Sequence, residues 1–268
     1  MPKPLIITLK EGVDPVYGFQ KAPAPQGLSH QGQYVLMDVT DTYALGVHAL
    51  REACKKEPLS PHPTFVGEYG SVIYRPLTFR ENLYARITDF NQEHDGAGNK
   101  RTLDDRLRFF NRRLDPCTGI AYKAGENKMK IVPVCENLIE IASSFNESFL
   151  PINYDSLGGE ELDRSVGKYN ALLTRNEVID HPAWLAAVEN DKTLLKEYVD
   201  IVFAQLQEKY QRNTGMRFWV RDTTATDELR TLLVHNLYDY SDADGNYYLD
   251  NNGSFLLVAP SDSPKATR

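Results

Sequence analysis

Gly119-Ile-Ala-Tyr-Lys-Ala-Gly-Glu-Asn-Lys-Met-Lys-Ile-Val132 decides how this chain is read. Two runs, Gly119–Lys123 and Lys128–Val132, flank Ala124-Gly125-Glu126-Asn127, whose composition is that of a turn. Side chains alternate across a strand, so matching Ile120 to Ile131 and Tyr122 to Met129 sets all four on one face. The same register pairs Lys123 with Lys128 on the other face. A hairpin with one apolar face calls for cover, and the sequence around it supplies helices.

Those helices announce their starts. Thr78-x-x-Glu81 is a capping box ahead of Phe79, Leu83, Tyr84, Ile87 and Phe90 at helical spacing. Thr102-x-x-Asp105 opens a helix with Leu103, Leu107, Phe110 and Leu114 on its apolar stripe. Thr174-x-x-Glu177 opens a short one that yields to His181-Pro182. Asp191 caps the longest, about residues 192–211, with Leu195, Tyr198, Val199, Val202, Leu206 and Tyr210 towards the core. A further helix starts at Thr42 and runs to about Lys55. Its apolar side carries Leu45, Ala49 and Ala53, widened by Val47, Leu50 and Cys54.

Leu5–Leu9 and Tyr34–Asp38 read as strands separated by an aperiodic Pro/Gly/Gln-rich loop over residues 11–32. Asn246–Leu249 and Ser254–Val258 read as a last hairpin around Asp250-Asn-Asn-Gly253. The tail from Pro260 to Arg268 is expected to fray. The order of elements lacks regular βαβ alternation. The expectation is an α+β fold with mixed or antiparallel strands and about five or six helices. Residues 1–268 read as a single compact domain with a long Ser/Asn/Gly-rich mid-chain loop near 143–168, or as two lobes meeting there.

Composition narrows the class. With 41% hydrophobic and 25% charged residues, the chain is that of a soluble globular protein. No apolar run reaches the length of about 18 residues that a bilayer span requires. The first ten residues, broken by Pro4, make a poor signal peptide. Three cysteines give no disulfide framework, which places the protein in a reducing cytoplasm. Residues 1–150 carry 18 Lys+Arg and 18 Asp+Glu, so the remainder (12 against 19) holds the whole formal charge of −7. That balance argues against nonspecific nucleic-acid binding and against a membrane surface there.

Several residue groups invite chemistry. Met216-Arg-Phe-Trp-Val-Arg221, read as a strand, sets Met216, Phe218 and Val220 on a core face and Arg217, Trp219 and Arg221 on the other. A cation–aromatic–cation row of this kind can hold an anion or a planar ligand. Arg101, Arg108 and Arg112 fall opposite the apolar stripe of the Thr102 helix and form a basic exposed ridge for an anionic partner. Asp38, Asp41 and Glu68 could form a carboxylate metal site for a hydrolase or nuclease. Asp242-Ala-Asp-Gly-Asn246 has the look of a calcium loop. In an EF-hand frame, however, Tyr240 and Asn251 occupy positions that need acids, so a tight turn into a strand is the simpler reading. Glu126-x-Lys128 resembles a nuclease pattern but falls in the turn itself. Cys117 and Cys135 lie on opposite faces of the extended hairpin, against a disulfide or a shared zinc.

With fifteen tyrosines, long irregular loops and no nucleophile motif or phosphate loop, the leading expectation is a binding or assembly protein. Its partner would be a protein or a second copy, with an anionic ligand also allowed. The metal-dependent enzyme is the alternative.

Overall fold

Ile120 pairs with Ile131 and Tyr122 with Met129, and all four side chains are fully buried. The register read from the sequence is the register of the fold. The computed structural model describes residues 5–8, 35–38, 41–43, 47, 74–94, 98–142, 144–238, 240–250, 252–253 and 258–260. Along them run β1 (Leu5–Thr8), β2 (Val35–Asp38), β3 (Asp41–Thr42), β4 (Tyr74–Pro76), α1 (Phe79–Asn91), α2 (Leu103–Leu107), β5 (Gly119–Tyr122), β6 (Lys128–Val132) and α3 (Glu136–Ile139). There follow β7 (Leu150–Pro151), β8 (Glu160–Asp163), β9 (Leu173–Thr174), α4 (Arg175–Ile179), α5 (Pro182–Ala187) and α6 (Lys192–Tyr210). The chain continues through β10 (Thr214–Met216), β11 (Phe218–Trp219), β12 (Glu228–Thr231), β13 (Leu233–Val234), β14 (Ala243–Asp244), β15 (Asn252–Gly253) and β16 (Val258–Pro260). Among the described residues every named strand pairing is antiparallel except β11 with β14, so the fold is α+β.

The central sheet has the order β7-β12-β5-β6-β8. Alternation gives β5 two apolar faces. Ile120 and Tyr122 join Met129, Ile131 and the helices in the larger core. Ala121 joins Leu229, Cys135, Leu138 and Tyr154 in a smaller one, which also holds the helical residues Tyr43 and Val47. The stretch 143–168 is thus no plain loop, since it supplies both edge strands of this sheet, β7 and β8. The chain ends are knit together in a second sheet of order β1-β2-β16-β4.

All three capping boxes form, at Thr78, Thr102 and Thr174, each with its reciprocal side-chain contact. Asp191 caps α6 as read, although Tyr210 at its last turn is exposed.

Two expectations are corrected. The Thr102 helix stops at Leu107 rather than continuing to Leu114. Phe109 and Phe110 are both fully buried, which one helical stripe cannot accommodate, and the backbone is taken up by the segment around Val234. There Leu237 N donates to Phe110 O at 2.6 Å, and Leu114 and Val234 form a β-bridge. The last hairpin differs in its described half: residues 246–249 form no strand, with Leu249 N donating to Ser148 O and Leu249 O accepting from Tyr43 N, while residues 254–257 lie outside the described residues. Asn252-Gly253, read as a turn, is instead β15 and pairs with β3. Thr42 belongs to β3, whereas Tyr43 and Val47 are helical and buried. The remainder of that helix, the loop over 11–32, Glu68 and the tail beyond Pro260 lie outside the described residues.

Candidate functional site

The small sheet β11-β14-β13 carries the densest set of recognition-type side chains. Phe218 lies beside Ala243 and Trp219 beside Asp244, while Val234 pairs with Ala243 and Leu233 with Asp244. Phe218, Ala243 and Val234 form the inner face, in the large core with Met216 and Val220. The core face read from Met216–Arg221 is therefore present. Side-chain alternation then places Arg217, Trp219 and Arg221 on the other, outer face, with Asp242, Asp244 and Asn246 from the middle strand and Leu233 and His235 from the far one. Leu233 and Asp242 are buried there, so the face is only partly open, around Trp219, Arg221 and Asp244.

Asp242 organises this face. Its buried carboxylate accepts from Arg217 N (2.9 Å), Arg217 Nε (3.0 Å) and Trp219 Nε1 (2.9 Å), and Arg217 Nη2 lies 2.8 Å away. Burial raises the Asp242 pKa, against the opposing pull of the Arg217 and Trp219 donors. With its Nε–Nη2 edge fixed, the Arg217 guanidinium lies over the Trp219 ring at 4.6 Å and over the Tyr240 ring at 4.8 Å. The result is an aromatic–cation–aromatic stack standing on a carboxylate. Trp219 is half-buried, with its polar edge turned inwards and one ring face already stacked by Arg217. It is therefore not the open platform read from the sequence.

Further along, Arg221 Nη1 reaches Asn246 Oδ1 at 3.3 Å, and its Nε lies 3.9 Å from Glu228. Glu228 makes its close contact with Arg230 at 2.8 Å, and both are buried. Arg230 also donates to Ser148 O and Tyr247 O, which holds the segment after β14 against the central sheet. His235 Nε2 is 3.1 Å from Asp244 Oδ2. Gly245 is required by closeness rather than by a calcium loop. A Cβ there would meet Tyr122 Oη at 2.6 Å and Ile120 Cδ1 at 2.7 Å, and that same hydroxyl donates to Gly245 O. Asp242 and Asp244 are engaged with Arg217 and His235, in keeping with a strand entry.

The arginine ridge is corrected. Asp89, on α1, is fully buried and is gripped by Arg108 Nη2 at 2.6 Å and Arg101 Nη2 at 3.1 Å. The Arg101 and Arg108 side chains are only 6% and 17% exposed. Arg101 Nη1 also donates to Asp89 O and Gln92 O, and Arg106 Nε donates to Phe90 O. These guanidiniums close the C-terminus of α1, where unpaired carbonyls and the helix dipole favour cations. Arg112 is half-buried, and its carbonyl accepts from the buried Arg86 at 2.8 Å. The angular argument fails because it extends a helix past its end at Leu107.

Asp38 and Asp41 lie on β2 and β3, which belong to different sheets, and Glu68 is outside the described residues. Among the described residues there is no group of three or more His, Cys, Asp or Glu that could hold a metal. Glu126 makes surface ion pairs with Lys123 and Lys128. Cys117 and Cys135 are both buried, and burial pushes the Cys135 thiol up to about 11. No described helix is long and apolar enough to cross a membrane.

The residues that sequence reasoning missed are Asp242 as organiser, the Glu228–Arg230 pair, His235 and Tyr240. One signal was available. Tyr238, Tyr240, Tyr247 and Tyr248 put four of fifteen tyrosines into eleven residues, and each of the last three carries an arginine on its ring, Arg217 on Tyr240, Arg113 on Tyr247 and Arg230 on Tyr248.

No protein-family model and no curated protein matches this chain. A solved structure with the C-type lectin fold, described as accommodating massive sequence variation in Nanoarchaeota, superposes on it with a TM-score of 0.52. The match covers 86% of this chain and 99% of that one, at 16% identity. Likeness at that identity is one of fold, and it places this chain's architecture with the C-type lectin fold, an α+β fold.

Proposed function

We propose that the chain is a binding protein and that the outer face of β11-β14-β13 is its recognition surface. The observation that carries this reading is the Trp219–Arg217–Tyr240 stack, fixed by the buried Asp242; Tyr238, whose N–H donates to Tyr240 O, is 61% exposed. Rigid aromatic side chains lose little conformational entropy on binding, and pre-ordering by Asp242 reduces that cost further. Buried Asp242, Glu228 and Arg230 do the holding, while Tyr238 and Tyr240 project from the loop between β13 and β14. The division suits a fold that in its structural neighbour accommodates massive sequence variation, because outer side chains can change without disturbing the inner ones. The reading takes a protein as partner and, on the cysteine content, a cytoplasmic setting.

Random-peptide display against the immobilised chain tests it, with the Tyr238→Ser/Tyr240→Ser variant as counter-selection. Peptides that bind wild type and are lost on a variant of unchanged melting temperature support the surface. Binders indifferent to the variant, or none at all, would overturn it.

A further inference from the structure

The charges on this face decide which kind of group it takes. Arg217 is neutralised by Asp242 through two nitrogens, and Arg230 by Glu228. Asp244 differs. Its partners are the His235 imidazole and the Asn246 backbone N–H, with no arginine or lysine among its ion pairs to described residues, and its side chain is 17% exposed. Asp244 is also the cross-strand neighbour of Trp219, so a carboxylate and an indole share one side of adjacent strands. Asp222 and Asp250 are exposed nearby in sequence, and residues 151–268 carry the whole −7.

We propose that the face receives a cationic side chain, an arginine or lysine presented by a basic segment of a protein partner, with Trp219, Tyr240 and Asp244 forming its subsite. This rests on the reading of the face as a recognition surface and goes further by assigning the sign of the ligand. A cation over an indole or phenol ring is attracted by the ring's negative face, and a carboxylate at the rim supplies the opposite charge. Arg217 shows that both rings already serve a guanidinium at stacking distance. An incoming cation on an outer ring face would add the next layer to the stack. At the Trp219 subsite an anion would meet the Asp244 carboxylate and an Arg217 already neutralised by Asp242.

The test uses the ¹⁵N-labelled full chain and four probes: a blocked hexa-arginine peptide, its citrulline counterpart of equal shape and no charge, hexa-glutamate, and ATP. Only two indole N–H signals exist, from Trp184 and Trp219, and Trp219→Phe assigns them. Hexa-arginine should shift the Trp219 signal saturably and leave that of the buried Trp184 in place, while the citrulline peptide does nothing. Asp244→Asn and, separately, Tyr240→Leu should each weaken the binding by about fivefold, the worth of one part-exposed ion pair or cation–π contact. Equal binding of the citrulline peptide, no shift with hexa-arginine, or hexa-arginine binding indifferent to both variants would overturn the assignment. A Trp219 shift with ATP or hexa-glutamate alone would overturn the sign of the ligand and leave the recognition surface standing. Failure of the recognition surface itself is read separately, from the display experiment.

Discussion

His181 shows how a single side chain ties local geometry to solution behaviour. It caps α5, its Nδ1 accepting from Ala183 N at 3.3 Å, with Pro182 in the first helical position, where its missing N–H costs nothing. Its ring stacks on Phe218 and meets Tyr169 edge-on, and burial lowers its pKa to about 4. The unfolded chain takes up a proton near pH 6.5, while the folded one resists until about pH 4. Stability is therefore full above pH 6.5 and is lost as pH falls through that window, by up to about 1.4 kcal/mol per pH unit. Urea unfolding between pH 6.5 and 5 reads this slope, and comparison with a variant assigns it. His181→Asn keeps an acceptor at the cap and should flatten the slope, whereas an unchanged slope would assign it elsewhere. The arginines beside Asp89 carry a second prediction at this scale. Arg101→Ala/Arg108→Ala leaves a fully buried carboxylate without its cations and should cost roughly 3–5 kcal/mol. A loss under about 1 kcal/mol in denaturant unfolding would return these residues to the status of a surface ridge.

At the scale of elements, legibility followed the range of the forces. Capping boxes at Thr78, Thr102 and Thr174 could be read because they close over three residues, and the β5–β6 register because its apolar pattern and turn lie together. What failed was decided at long range. The Thr102 helix ends early because Val234 and Leu237, more than a hundred residues later, claim its backbone. The 246–249 segment is drawn off by Arg230, Ser148 and Tyr43. The candidate face was half legible for the same reason. Alternation gave the inner and outer sides of Met216–Arg221, but nothing local announces that Asp242 lies beneath Arg217 and Trp219. The hairpin itself can be tested. Ile131 is fully buried between Ile120 and the helices, and Ile131→Ala should cost roughly 2–5 kcal/mol with the slope of unfolding against denaturant unchanged. A cost near zero would contradict the register, because a slip of one residue turns every side chain to the opposite face.

For the molecule as a whole, the sheet of order β1-β2-β16-β4 matters most, since its third strand comes from the far end of the chain. β16 pairs with β2 through Val258 and Val35, and with β4 through Val258–Pro76, Ala259–Arg75 and Pro260–Tyr74. β15 likewise completes a pair with β3. Such contacts close loops of some two hundred residues, and that closure entropy must be met before the pairing is rewarded. Removing residues 251–268 therefore does more than trim a tail. It takes the middle out of this sheet, leaves β2 and β4 each with an unpaired edge, and strips β3 of its partner. At about 1 kcal/mol for each net ladder hydrogen bond, the loss should be roughly 2–4 kcal/mol. The exposed edges should also make the shortened chain associate. The central β5–β6 hairpin pairs with β12 and β8 and not with β15 or β16, so far-ultraviolet dichroism should retain most of its amplitude while the urea midpoint falls and larger species appear on a sizing column. A truncated chain that stays monodisperse with an unshifted midpoint would show that β16 merely lies against a sheet already complete without it.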